Sequence, residues 1–473
     1  MGPAVLVGLL VGFLLGAAAQ RPAYDKPDGL SYPAVRHQGP VTAMDLRDSL
    51  PAHNSPALAE DPTDARFVAL ASRMDAPDFA CRLHVSGDSG RQWVEVRPVP
   101  KLPKGADKCY APEVSFDPMG RLNFLFVGLQ GGGNSPMGAF LVSSTDRGRT
   151  FTKPRRVLGA ERYMVRMAID PTVGETGRLH LVWLEATESP PLGGLAPVPN
   201  PIMSSFSDDG GRTFSRPVQV SDPDRPRVVS PALALGKDHA VHVLYYDLRD
   251  DVVDYQGLEG PTWEEHWSLV VSTSSDGGGH YGRGVVVDDE VVPPERIMLI
   301  FTMPPAAIAA GPSGAVFVSW TDGRNGDWDV MFRRSLDGGR SWKSARRLND
   351  DPLKDGRHQY MPRLAISDNG RLDAAFYDRR RDPKNIRPDI FHTFSLDAGA
   401  RFAPNVRATT NSSDSRFGPR YPIPSAKDLV EFGSRIALLS RDSSALLAWA
   451  DTRNALAAPQ QEIFSTQLEF GRR

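Results

Sequence analysis

Cysteine is nearly absent, with only Cys81 and Cys109 in 473 residues. Two residues cannot make a disulfide scaffold, and their spacing fits no metal-ligand motif. An excess of charge of either sign is also missing. Lys and Arg total 55 against 57 Asp and Glu, for a net charge of −2. No block of five or more like charges occurs, which argues against a nucleic-acid footprint. After residue 19 no apolar run is long enough to cross a bilayer. Helix-friendly stretches are scarce, because Gly 43 and Pro 41 punctuate the chain. That share suits a loop-rich all-β protein. The G-x-S-x-G, H-E-x-x-H and P-loop motifs are missing. Gly87-Asp88-Ser89-Gly90 has the look of a serine nucleophile, but it belongs to a repeat described below.

What is present is enough to fold: 40% of residues are hydrophobic and 24% charged, which allows a sizeable core. Residues Ala4 to Ala19 form an apolar run ending in Ala17-Ala18-Ala19 before Gln20, as in a signal peptide with an A-x-A cleavage site. No Lys or Arg precedes it, so an uncleaved N-terminal anchor is the alternative. The expected organisation is an export segment at 1–19, a linker at 20–40 and one domain at 41–473, with the protein secreted or otherwise outside the cytoplasm. In an exported chain Cys81 and Cys109 can form a bridge; two buried thiols are the other reading.

One pattern recurs through the domain. Ser86-Gly87-Asp88-Ser89-Gly90-Arg91-Gln92-Trp93 returns at Ser144 to Phe151, Ser207 to Phe214 and Ser335 to Trp342, with weaker copies at Ser274 to Tyr281 and Ser395 to Phe402. The aspartates stand at 88, 146, 209, 276, 337 and 397, at intervals of 58, 63, 67, 61 and 60 residues. Such a period matches one four-stranded unit. Locally the motif is a turn: Asp accepts backbone N–H bonds, Gly takes positive φ and the aromatic re-enters the core. Small residues alternating with an aliphatic one mark seven inner strands, near Ser55, Ala111, Met164, Ser230, Pro305, Met361 and Gly433. The last unit has no copy of the turn and lacks a fourth strand, which Val41 to Arg47 could supply.

These turns resemble the Asp-box, or bacterial-neuraminidase, repeats, and the chain is similar to the sialidase-like β-propellers over nearly all of its mature length. The resemblance implies a β-propeller whose boxes join the third and fourth strands of each blade. Seven blades are expected rather than the six usual in sialidases, because the N-terminal strand then closes the ring and protects its edges.

Two further patterns bear on function. Second strands end in Tyr246-Asp247, Trp320-Thr321-Asp322-Gly323-Arg324, Tyr377-Asp378-Arg379-Arg380 and Trp449-Ala450-Asp451-Thr452-Arg453. A feature shared by several blades reads first as a turn or blade-to-blade ion pair, and second as a ring of acids. The third position of the seven inner strands reads Ala57, Glu113, Arg166, Ala232, Ala307, Arg363 and Arg435. Three arginines near the axis would be costly to bury without an anion. Tyr110, Tyr163 and Tyr360 each stand three residues before a charged member of this column.

Sialidases hold a substrate carboxylate with three arginines and use a tyrosine nucleophile activated by a glutamate. The resemblance therefore implies Arg166, Arg363 and Arg435 as the carboxylate clamp, with Tyr110 beside them. It implies Glu113 as the activating acid, Tyr360 or Tyr163 as nucleophile, and Asp322 or Asp378 as acid/base. The F/Y-R-I-P motif is missing ahead of the first box, and the order of these residue types differs from that of sialidases.

The expected activity is an exo-α-sialidase type of glycoside hydrolase acting on an acidic sugar or glycan. Its alternatives are a non-catalytic propeller binding glycans or a protein at the cell surface, and a hydrolase or lyase for another polysaccharide. A carbohydrate partner and a monomeric state are expected, with no nucleic acid and no cofactor. Ca²⁺ is considered only for the acidic insertion Arg249 to Trp267, with Asp250, Asp251, Asp254, Glu259, Glu264 and Glu265. The crossing segment Thr409 to Asp428, with Arg416, Arg420 and Tyr421, could act as a flap.

Overall fold

The computed structural model describes residues 34–41, 51–97, 100–132, 134–186, 198–251, 265–293, 306–418 and 432–471. Every strand of these segments belongs to one of seven four-stranded antiparallel sheets. Among the described residues the only helical turns are two short 3₁₀ segments, Lys237–His239 and Ser415–Phe417. Each sheet is a blade, and the inner strands His53–Glu60, Lys108–Phe116, Arg162–Asp170, Val228–Leu235, Ala307–Ala310, Gln359–Ile366 and Ala437–Arg441 pack against one another in ring order, the seventh against the first. The fold is a seven-bladed β-propeller.

Burial follows from this arrangement. Second strands lie between two neighbouring blades, so Val68–Met74, Val241–Asp247, Val316–Asp322, Leu372–Asp378 and Ser444–Asp451 are buried at every position. They therefore read as continuous apolar runs with a few polar residues rather than as a strict alternation. The apolar clusters sit between blades: one joins Leu83 and Val96 of the first blade to Phe116 and Phe126 of the second.

The seventh blade is completed by strand Ala34–Pro40, which pairs antiparallel with Glu462–Glu469. The stretch expected for this role, Val41 to Arg47, starts where the strand ends. Val41 donates its N–H to Ile463 at 2.7 Å, and residues 42–47 lie outside the described residues. The export segment 1–19 lies outside them as well.

Six of the blades carry the S-x-D-x-G turn between third and fourth strands, and its chemistry is the same in each. In the first, Ser86 donates to Asp88 at 2.7 Å, accepts the Gly90 N–H at 2.9 Å, and Asp88 accepts the Gln92 N–H at 2.8 Å. The final aromatic reaches back to the preceding blade: Trp93 donates to Ser465 at 3.0 Å, and Tyr281 to Ser204 at 3.0 Å. The last glycine of the turn is a steric requirement. At Gly399 φ is +72° and a Cβ would sit 2.7 Å from Phe332 of the blade before.

Candidate functional site: a charged plug in the central channel

Five of the seven inner strands enter the ring through a bulge. Register shifts fall between Asn54 and Ala57, Tyr110 and Glu113, Tyr163 and Arg166, Val229 and Ala232, and Tyr360 and Arg363. Inside each bulge a non-glycine residue takes positive φ: Ser55, Ala111, Met164, Ser230 and Met361, all between +49° and +57°. Gly433 holds the same place before Arg435, at +87°. A bulge re-aims the side chains on either side of it. Here it turns the column residue to the axis and the tyrosine three positions earlier into the packing between blades.

The column residues Glu113, Arg166, Arg363 and Arg435 thus line one cavity of about 370 Å³, walled by inner strands of all seven blades. Glu113 is the hub. Its Oε1 accepts from Arg166 Nη1 at 3.2 Å and from Arg435 Nη1. Arg435 also donates to the Pro56 and Pro112 carbonyls at 3.0 and 2.7 Å, and Arg166 to the Pro231 carbonyl at 3.3 Å. These bonds tie the seventh, first, second, third and fourth blades across the channel as a plug. Arg363 has no hydrogen bond or ion pair among the described residues and is exposed to the channel.

Three guanidiniums against one carboxylate leave the plug with a formal charge of +2. Desolvation lowers the Arg166 pKa, and Arg435 adds to the effect while Glu113 opposes it. Arg363 is pushed down to about 10, first by desolvation and then by Arg435 and Arg166, with Glu113 opposing. Its side chain touches channel water but has protein on every side, which reconciles its exposure with its desolvation. Such a group gains from any anion that reaches it.

The tyrosines are placed elsewhere. Tyr163 donates to Glu161 at 2.7 Å, and Tyr110 accepts from Arg73 at 3.3 Å and meets the Phe79 ring edge-on. Tyr360 stacks on Tyr377 at 5.3 Å with Arg379 over its ring, and burial raises its phenol pKa. None of the three lines the cavity. The juxtaposition of Glu113 with Tyr360 or Tyr163 expected from sequence is not formed: Glu113 lines the cavity, whereas the tyrosines, on the inner strands of the sixth and third blades, do not.

Asp322 and Asp378 also lie away from the channel. Each is buried and locked by the arginine two residues on: Asp322 by Arg324 at 2.6 Å and Asp378 by Arg380 at 2.6 Å. Trp320 donates its indole N–H to Asp322 at 2.7 Å, and Trp449 to Asp451 at 2.8 Å. The repeated acid is a strand-end device, and the acid/base role expected of Asp322 or Asp378 has no support in their positions.

Cys81 and Cys109 are bonded to each other, with Cα atoms 5.7 Å apart. Cys109 lies in the inner strand of the second blade. In the acidic insertion, Asp251 is buried and accepts the Trp267 indole N–H at 2.8 Å, while Asp254, Glu259 and Glu264 lie outside the described residues. Among the described residues no three His, Cys, Asp or Glu stand together as a metal site. Of the expected flap, Arg416 pairs with Asp414 at 2.9 Å, and Arg420 and Tyr421 lie outside the described residues.

The small residues that mark the inner strands form one further column, and a nearby ion pair escaped the sequence reading. Two residues beyond the column stand Ala59, Ser115, Ala168, Ala234, Ala309, Ala365 and Ala437, a ring of small side chains broken only by Ser115. One residue further, Glu60 lines the cavity and is held by Arg441. The ring was visible as a column in the aligned strands; the Glu60–Arg441 pair joins the first blade to the last and had no local signal.

No protein-family model matches the chain, and no curated protein does. Among solved structures it is similar to a protein of unknown function from Dyadobacter fermentans DSM 18053, at 13% identity over 93% of this chain and 99% of that one, with a TM-score of 0.47. It is similar to the phage phi92 endosialidase at 10% identity over 92% and 69%, with a TM-score of 0.49. A polysaccharide lyase of family PL25, an ulvan lyase, is 13% identical over 88% and 94%, also with a TM-score of 0.49.

Proposed function

We propose that this protein binds the acid group of a small sugar or terminal glycan residue in its central channel. The observation that carries this reading is Arg363, a guanidinium facing the cavity with no partner among the described residues, beside two arginines that share a single carboxylate. A carboxylate fits its planar fork through two parallel bonds. The cavity, at about 370 Å³, is at the small end of ligand sites and suits one sugar unit.

The geometry favours binding over hydrolysis. An exo-sialidase needs a tyrosine and a carboxylate in reach of each other at the bound sugar. Glu113 is instead committed to Arg166 and Arg435, and the three candidate tyrosines point between blades. The test is to measure retention of N-acetylneuraminate and glucuronate by wild type and Arg363→Ala, with 4-methylumbelliferyl α-sialoside incubated in parallel. Acid-dependent retention lost in the variant, without fluorophore release, is the expected result. Equal retention of neutral sugars would overturn the reading, and release that Arg363→Ala abolishes would replace it with hydrolysis.

A further inference from the structure

The cavity reaches below the plug over part of the ring; in the fourth, fifth and sixth blades its lining is Ser230 to Leu233, Ala306, and Pro362 with Arg363, close to the column. In the seventh, first, second and third blades its lining runs from the column onward to Glu60, Phe116, Ile169 and Leu438. These residues stand three beyond the column, about 10 Å along the strand toward the face that carries the S-x-D-x-G turns. Over this same sector the plug is bridged, by Arg435 to Pro56, Pro112 and Glu113 and by Arg166 to Glu113. The bonded side chains form a roof over this sector, and the shaft beneath it is lined by the small side chains of Ala59, Ser115, Ala168 and Ala437.

We propose that the ligand enters this shaft from the turn-bearing face, past Glu60 and Arg441, and that it is a small hydroxylated carboxylate. The proposal rests on anion binding in the channel and deepens it. Arg363 takes the acid, and Ser115 takes a hydroxyl from the opposite side of the axis. Ser115 lines the cavity, is partly exposed, and makes no hydrogen bond among the described residues. It is the one polar side chain in the small-residue ring, so it is where a hydroxyl would be distinguished from a methyl group. At the mouth, Glu60 would repel an incoming anion were it bare, and its ion pair with Arg441 cancels that charge.

The route and the ligand class are tested with glucuronate, acetate and glucose on the full protein. Glu60→Gln leaves Arg441 uncompensated at the mouth, so glucuronate association should rise about threefold at low ionic strength and lose that gain in high salt. Ala168→Leu narrows the ring and should slow association about tenfold or more. Ser115→Ala should weaken glucuronate about fivefold beyond any effect on acetate. If Arg363→Ala abolishes binding while Glu60→Gln and Ala168→Leu leave the association rate unchanged, the ligand enters from the other face and the route is wrong. If acetate binds as tightly as glucuronate and Ser115→Ala affects neither, the ligand class is wrong. If wild type binds none of the acids, the proposed function itself fails, and that outcome is distinct from the other two.

Discussion

Replacing Glu113 by alanine isolates what the plug contributes. The carboxylate is 8% exposed and accepts from two guanidiniums. Its removal leaves three cations around the axis, two of them with only carbonyl oxygens for partners. Breaking a buried ion pair by deleting one member costs about 3–5 kcal/mol. Arg435 keeps its bonds to Pro56 and Pro112, and Arg166 keeps Pro231, which places the expected loss at the low end, about 3 kcal/mol. Removing Arg363 should act in the opposite direction, since it has no partner to lose and repels Arg166 and Arg435. The double variant Glu113→Ala/Arg363→Ala should therefore recover part of the loss, and the cycle gives the coupling directly. Urea unfolding at constant ionic strength is the assay, repeated with citrate, which should rescue the Glu113 variant more than wild type. A loss below about 1 kcal/mol, the range of solvated surface pairs, would refute the picture of a desolvated plug.

Burial raises the carboxyl pKa of Asp351 from 3.8 to about 6, against the opposing bonds from Asn349 and the nearby Arg380 and Arg347. The folded state thus favours its neutral form. That stabilisation is complete below pH 3.8 and is lost as pH rises through about 6, so the advantage of wild type over Asp351→Asn should shrink by about 3 kcal/mol across this window. Unfolding curves at pH 4 and pH 7 check it. Cys81→Ser/Cys109→Ser should lose about 3–4 kcal/mol in the chain-entropy account of a 28-residue separation, read as a lowered denaturation midpoint. Asp322→Ala leaves the Trp320 indole without its acceptor and Arg324 with Asp288 at 2.7 Å, and should cost about 1–3 kcal/mol in unfolding free energy while leaving glucuronate affinity unchanged. A loss of affinity there would return Asp322 to the site.

The repeat made the fold legible because the same turn chemistry must be rebuilt in six blades, and the alternation of small and aliphatic residues marks each inner strand. The closing strand was placed a few residues late for a physical reason. Val41-Thr42-Ala43-Met44-Asp45-Leu46-Arg47 looks like a strand, whereas Ala34–Pro40 sits at a blade edge and carries Gly39 and Pro40. An outer strand with few burial demands leaves a weak pattern.

The site was legible in part. Glu113, Arg166, Arg363 and Arg435 stood out because they replace small residues in one column, and the structure brings all four to one cavity. The tyrosines misled because residue spacing carries no sign of a bulge. Ala111, Met164 and Met361 take positive φ without being glycine, and only Gly433 advertises that conformation in the sequence. The acids of the second strands misled in the other direction: Asp322 and Asp378 are conspicuous, but each is consumed by its own strand-end arginine.

The most direct test of the central claim is calorimetric titration of glucuronate and of glucose into wild type and Arg363→Ala. The account predicts that wild type binds the acid and not the neutral sugar, with affinity falling as salt rises, and that the variant binds neither while keeping or gaining stability. Undiminished glucuronate binding by a folded Arg363→Ala would contradict it.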